Sequence, residues 1–139
     1  MENYMEMKFS ALVKNVSFAR GTVASFLVEQ DLTLNIVNEI KTIVSEAVTN
    51  AIVHGYQSDP TELVFMSLKL EKGKLIITVQ DTGVGIVDIK QAREPLFSTR
   101  EDEDRAGLGF TIMDIFSDSV EVLSEVGKGT TVICTKMIE

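Results

Sequence analysis

S-E-A-V-T-N-A-I-V-H-G, residues 45–55, is the stretch around which the rest of the chain is organised. Glu46, Asn50 and His54 recur every fourth residue, so on a helix they stack along one edge, each about 40° on from the last. Ile40, Ile43, Val44, Ala47, Val48, Ala51 and Ile52 recur at steps of three and four, the stripe of a helix packed on a sheet. The polar edge therefore borders the core. A carboxylate and a carboxamide placed this way can share a hard cation, or the carboxylate can act as base while the amide oxygen holds the metal. Taken alone, Glu-x-x-x-Asn reads as a wet amphipathic edge, and His54 beside a Gly55 cap as a partly buried structural histidine.

The 139 residues suit one compact domain, 1–139, and 45% hydrophobic with 24% charged residues is ordinary globular composition. A net charge of −8 disfavours a general nucleic-acid or anionic-membrane surface, so a polyanionic ligand needs locally arranged donors. The lone Cys134 excludes an internal disulfide and lies in an apolar run, which reads as a small buried residue in a reducing compartment. The start, M-E-N-Y-M-E-M-K-F, is not a basic segment followed by an apolar one, and no run reaches eighteen apolar residues. The expectation is a soluble cytoplasmic protein.

Residues 5–13 alternate loosely and suit an edge strand, and Val16, Ala19, Val23, Phe26 and Leu27 mark a first helix opened by Asn15 or Ser17. Arg20 lies on its polar side and by itself reads as a solvent-facing arginine. Asp31 and Thr33 are candidate caps of the long second helix, which runs to His54 and stops at Gly55. After a loop over 56–61, the runs 63–70 and 75–80 form a hairpin across Glu71-Lys72-Gly73-Lys74. Its second strand ends in Asp81-Thr82-Gly83-Val84-Gly85, where the glycines permit positive φ and close approach of a ligand to backbone.

Over 86–105 the periodicity breaks down, Pro95 interrupts, and Glu101-Asp102-Glu103-Asp104 precedes Arg105. A structureless stretch of about twenty residues in a compact domain is uncommon and suggests a lid over a ligand or disorder. The acidic run itself reads as a solvated face. Gly107-Leu108-Gly109 opens an apolar helix over 110–116, whose free N–H groups suit an anion. Residues 120–124 and 130–137 form a closing hairpin turned by Gly127 and Gly129. There is no internal repeat, linker or low-complexity tract.

Four weak signals thus stand in a fixed order: Glu46-x-x-x-Asn50 on a helix, Asp81-x-Gly-x-Gly after a strand, Gly107-x-Gly before a helix, and Gly129-Thr130-Thr131 entering the last strand. Together they resemble the GHKL ATPase and kinase superfamily over nearly the whole chain. Closer wording is similar to one branch of it, the anti-sigma kinases of endospore-forming bacteria: S-F-A-R at 17–20, V-S-E-A-V-T-N-A-I-V-H-G-Y at 44–56, P-L-F-S-T at 95–99 and G-F-T-I-M at 109–113.

The resemblance implies a two-layer α/β sandwich of the histidine-kinase-like ATPase (GHKL) type, with a mixed sheet covered on one face by helices and ATP and Mg²⁺ between the helix layer and a lid. It implies that Asp81 receives the adenine amino group and that Thr130 supports the base through water. Gly83 and Gly85 let the backbone pass close to the nucleotide, and Gly107 and Gly109 shape a turn that offers amides to the phosphates. Asn50 coordinates Mg²⁺, Glu46 is the general base, and His54, Thr99 and Leu108 complete the nucleotide set. The implied substrate is a serine of an anti-anti-sigma factor, and the ATP-bound homodimer holds the sporulation sigma factor F inactive, without direct contact to nucleic acid or membrane. Arg20 and Arg105 fall on the implied partner-facing surface, where arginine can hold carboxylates bidentately.

The chain departs from the pattern at Ser98, where the relatives have threonine, in its acidic lid, and at Gly21, inside a helix at a cost near 1 kcal/mol relative to alanine. Two other classes fit parts of the pattern. A non-catalytic ATP-gated sigma-binding module needs the glycines and Asp81 but not Glu46. The ATPase domain of a histidine kinase shares all four boxes, yet the chain has no helical hairpin with a phospho-acceptor histidine, and its one histidine lies in the nucleotide helix.

Overall fold

A computed structural model of the chain describes residues 2–94 and 109–139. Five strands, β1 (Asn3–Ser10), β2 (Leu63–Glu71), β3 (Lys74–Asp81), β4 (Ser119–Glu125) and β5 (Gly129–Met137), form one sheet in the order β1-β2-β3-β5-β4. The helices α1 (Asn15–Phe26), α2 (Leu34–Thr49) and α4 (Gly109–Phe116) and the short α3 (Ile89–Ala92) complete the α/β fold. The mixed sheet expected from the resemblance is corrected here, because all four strand pairings among the described residues are antiparallel. Two helices separate β1 from β2, so the chain returns to the sheet reversed, and β5 enters between β3 and β4 against the direction of both.

Alternation along the strands puts Val64, Met66, Leu68 and Leu70 of β2, Leu75, Ile77 and Val79 of β3, and Val132 and Cys134 of β5 on the helix-covered face. The whole stripe expected on the second helix, from Ile40 to Ile52, is buried against them. The same parity makes Asp81 the last inward-facing residue of β3, paired across the ladder with Thr130. A carboxylate thus ends a core-facing row.

Caps refine the helix boundaries. Thr33 caps α2, its Oγ1 accepting the Ile36 N–H at 3.2 Å, whereas Asp31 occupies a left-handed connection at φ 52°. Neither Asn15 nor Ser17 caps α1; the Asn15 amide donates instead to the Ser10 carbonyl at 2.9 Å and ties the helix start to the end of β1. The α-helical pattern of α2 ends at Thr49, and Asn50–Gly55 forms a π turn closed by the Tyr56 N–H on the Ala51 carbonyl at 2.9 Å. Part of the 86–105 stretch is ordered as α3, capped by Asp88 Oδ1 accepting from the Gln91 N–H at 3.0 Å. The acidic run and Ser98 lie outside the described residues. Cys134 is buried, as its apolar setting suggests, and burial pushes its thiol up to about 11.

Candidate functional site

A cavity of about 530 Å³ opens between the end of α2, the π turn, the ends of β3 and β5, and α3 with the start of α4. Asn50, His54, Asp81, Gly85, Gly109 and Thr130 all contribute to its wall. Five separate segments therefore deliver the residues singled out in the sequence to one place. Glu46 is 5% exposed and Gly83 sits beneath the turn; neither lines the cavity. Arg20 is elsewhere, half-buried, with its Nη1 donating to Ser45 Oγ at 2.5 Å and to the Lys41 carbonyl at 3.3 Å. It is fastened to α2 rather than free in solvent, and its partner Ser45 directly precedes Glu46. Thr99, Arg105, Gly107 and Leu108 lie outside the described residues.

At one end of the cavity, Gly109 begins α4 directly over the polar edge of α2. A Cβ on Gly109 would stand 3.2 Å from both Asn50 side-chain polar atoms and 3.4 Å from Glu46 Oε1. The start of α4 therefore packs tightly against the carboxylate and the amide together.

At the other end, Asp81 is 5% exposed. Burial pushes its carboxyl up to about 6, and backbone N–H groups of Gly83 and Thr130 pull it partly back. The Gly83 N–H reaches its Oδ1 at 2.9 Å. Gly55 packs on this carboxylate so closely that a Cβ would lie 2.6 Å from Oδ2, and a Cβ on Gly83 would overlap the Gly55 carbonyl. Gly85 has φ 78°, and a Cβ there would overlap the Glu125 carbonyl. Between the two ends the lining is largely apolar, with Ala51, Val79, Ile86 and Val132. An aromatic heterocycle with one hydrogen-bonding edge on Asp81 and an anionic tail towards Asn50 and Gly109 suits this arrangement.

Several site residues carry no signal in the sequence. Ser124 accepts the Ile86 N–H at 2.8 Å and lies 2.8 Å from Thr130 Oγ1, linking the cavity wall to the β4–β5 hairpin. Strand register alone brings it there. Tyr56, read as the first residue of a loop, is buried behind Asp81. Among the described residues no helix is long and apolar enough to cross a membrane.

A family model described as a histidine kinase-like ATPase domain matches residues 9–136. The anti-sigma F factor of Geobacillus sp. (strain WCH70) is 54% identical over 138 residues, covering 99% of this chain and 94% of that one. The chain belongs to the anti-sigma F factor family of histidine kinase-like ATPases. Another member, the anti-sigma F factor of Bacillus cytotoxicus, is 49% identical over 138 residues, with 99% and 94% of the two chains covered. The crystal structure of the RsbU and RsbW domains of Rv1364c from Mycobacterium tuberculosis has a TM-score of 0.69 at 17% identity. It covers 98% of this chain and 32% of its own, and it shares the family's fold.

Proposed function

We propose that this member of the family is an anti-sigma factor and protein serine kinase, binding sporulation sigma factor F and using Mg-ATP to phosphorylate a serine of an anti-anti-sigma factor. The observation that carries the reading is the placement of Asn50 and Gly109 at one end of a cavity, with Glu46 buried beside them, and of Asp81 opposite Thr130 at the other end. ATP has the matching polarity, an amino-bearing base and a triphosphate. The glycine contacts at 55, 83, 85 and 109 are the close approaches that such a ligand site is built from.

Asp81 accepts the adenine amine, and Thr130 supports the base from the neighbouring strand. His54 lines the path between, and the amides at the start of α4 face the phosphates, with Thr99, Gly107 and Leu108 completing the set. Asn50 would hold Mg²⁺ through its side-chain amide oxygen, and the ion would supply neutralisation of charge on the transferring group. Glu46, behind Asn50, orients the serine hydroxyl and takes its proton. The serine Oγ–phosphorus bond forms as the terminal phosphoanhydride bond breaks and ADP leaves. Positioning dominates such a transfer, and a buried carboxylate on a packed helix is well held for it.

Arg20, fastened to α2, and Arg105 present guanidinium groups to the partners, and the active form is a homodimer. Phosphorylation adds a charge of roughly −1.5 to −2 to the anti-anti-sigma factor, which weakens its hold on an acidic chain. The test is incubation with γ-labelled ATP, Mg²⁺ and the anti-anti-sigma partner, followed by phosphoamino-acid analysis. Phosphoserine on the partner is the expected result. Label on His54 would indicate histidine kinase chemistry, and bound ATP without transfer would leave a nucleotide-gated sigma-binding module as the better account.

A further inference from the structure

We propose that Tyr56 is the positioning residue for the base-selecting carboxylate: its phenolic oxygen fixes the peptide that follows Asp81 and thereby sets which purine the cavity accepts. The inference rests on the reading of Asp81 as the group that meets the base.

Tyr56 is 7% exposed and directly follows the π turn. Its hydroxyl donates to the Leu63 carbonyl at 2.7 Å and accepts the Thr82 N–H at 2.8 Å, with Thr82 Oγ1 at 3.2 Å. One atom therefore joins the end of the nucleotide helix to the start of β2 and to the residue after β3. The next two amides are also committed, Gly83 N–H to Asp81 Oδ1 at 2.9 Å and Val84 N–H to the Gly55 carbonyl at 3.0 Å. Of three consecutive amides after Asp81, the outer two are held by Tyr56 and Gly55 and the middle one holds the carboxylate. Rotating that carboxylate breaks its bond to Gly83, and Gly55 packs so closely on it that a Cβ there would lie 2.6 Å away.

Adenine presents an amine donor where guanine presents a carbonyl acceptor. A carboxylate held in one orientation accepts from the first and repels the second, whereas one free to turn away loses most of that discrimination. Phenylalanine at position 56 keeps the ring and its packing but leaves the Thr82 N–H and the Leu63 carbonyl without their partner. The hydroxyl alone is then what the substitution tests.

The experiment measures ATP and GTP dissociation constants by calorimetry for the full chain and for Tyr56→Phe, with amide exchange at Thr82 followed by NMR. Losing one such bond is expected to weaken ATP binding roughly three- to tenfold. GTP binding stays as it was, so the ATP-to-GTP preference falls by the same factor and the Thr82 amide exchanges faster. A merely structural role would weaken both nucleotides alike, and that result, or an unchanged preference, overturns the inference. So does a Thr82 amide that exchanges freely in the unaltered protein, an outcome independent of how the variant folds. Asp81→Asn, measured alongside, separates the two layers. If it leaves the preference intact, the reading of Asp81 fails and the inference with it; if it abolishes the preference while Tyr56→Phe does not, the inference alone fails.

Discussion

The base end of the cavity and its α3 wall are neighbours, but they are held in different ways. At the base end the π turn, the end of β3 and Asp81 interlock through backbone hydrogen bonds and glycine contacts that leave no space for a Cβ. On the α3 side Val87 is 88% exposed, and α3 is fastened through Arg93, whose Nη2 meets Asp114 at 2.8 Å and whose Nη1 donates to the Val120 carbonyl at 3.1 Å. Both partners of that ion pair are partly exposed, so water competes for it. On the proposed function, ligand selection falls to the packed end, and the wall is the part that can be altered at small cost.

The most severe way to break the comparison is Gly83→Ala. The added methyl meets the Gly55 carbonyl, a backbone atom tied to Val84, so it cannot be relieved by a side-chain rotation. Destabilisation of about 2–4 kcal/mol and loss of measurable ATP binding are expected, read by thermal melting and calorimetry. A variant that melts and binds like the unaltered protein would show that the base end is not close-packed.

Asp81→Asn should separate stability from binding. The folded carboxyl titrates at about 6 against an ordinary 3.8, so the fold is strained by ionisation. The stability associated with this group is fully present below about pH 4 and is lost as pH rises through about 6. Removing the ionisable group should therefore stabilise the nucleotide-free protein at pH 7.5 by about 2–3 kcal/mol, an advantage that vanishes near pH 4. ATP binding is lost in the same variant. In the unaltered protein ATP affinity should fall as pH drops below about 6, since the neutral carboxyl is a poorer acceptor for an amine. Denaturant melts across pH give the first result and titration calorimetry the second; a stability gap independent of pH would mean that Asp81 is not strained.

Arg93→Ala sharpens the other half of the comparison. Removing a partly exposed ion pair is expected to cost no more than about 1 kcal/mol and to weaken ATP less than about fivefold. A double-mutant cycle with Asp114→Ala measures the coupling. A coupling above about 2 kcal/mol would place the wall in the same class as the base end.

Much of this was legible in the sequence because two periodicities coincide at the site. The helical stripe that buries Ile40, Val44 and Val48 fixes which edge Glu46 and Asn50 occupy, and strand alternation through Leu75, Ile77 and Val79 carries Asp81 to the same side. The π turn was not legible, since the six residues Asn50–Gly55 satisfy an α and a π pattern alike. Tyr56 reads as loop because it follows a glycine and precedes polar residues; its burial depends on where β2 and β3 end. The antiparallel sheet follows from a count of crossings, which no local pattern reports. Ser124 is placed by register with β5, and Asn15 binds backward to Ser10 rather than forward into its helix.

On the proposed function, one site both holds Mg-ATP and transfers its phosphate through Glu46. The most direct test compares Glu46→Gln with the unaltered protein for ATP affinity and for the single-turnover rate of phosphate transfer to the anti-anti-sigma serine. Unchanged ATP affinity and a transfer rate lower by roughly 10²–10⁴-fold are expected. Transfer at the original rate would contradict that function.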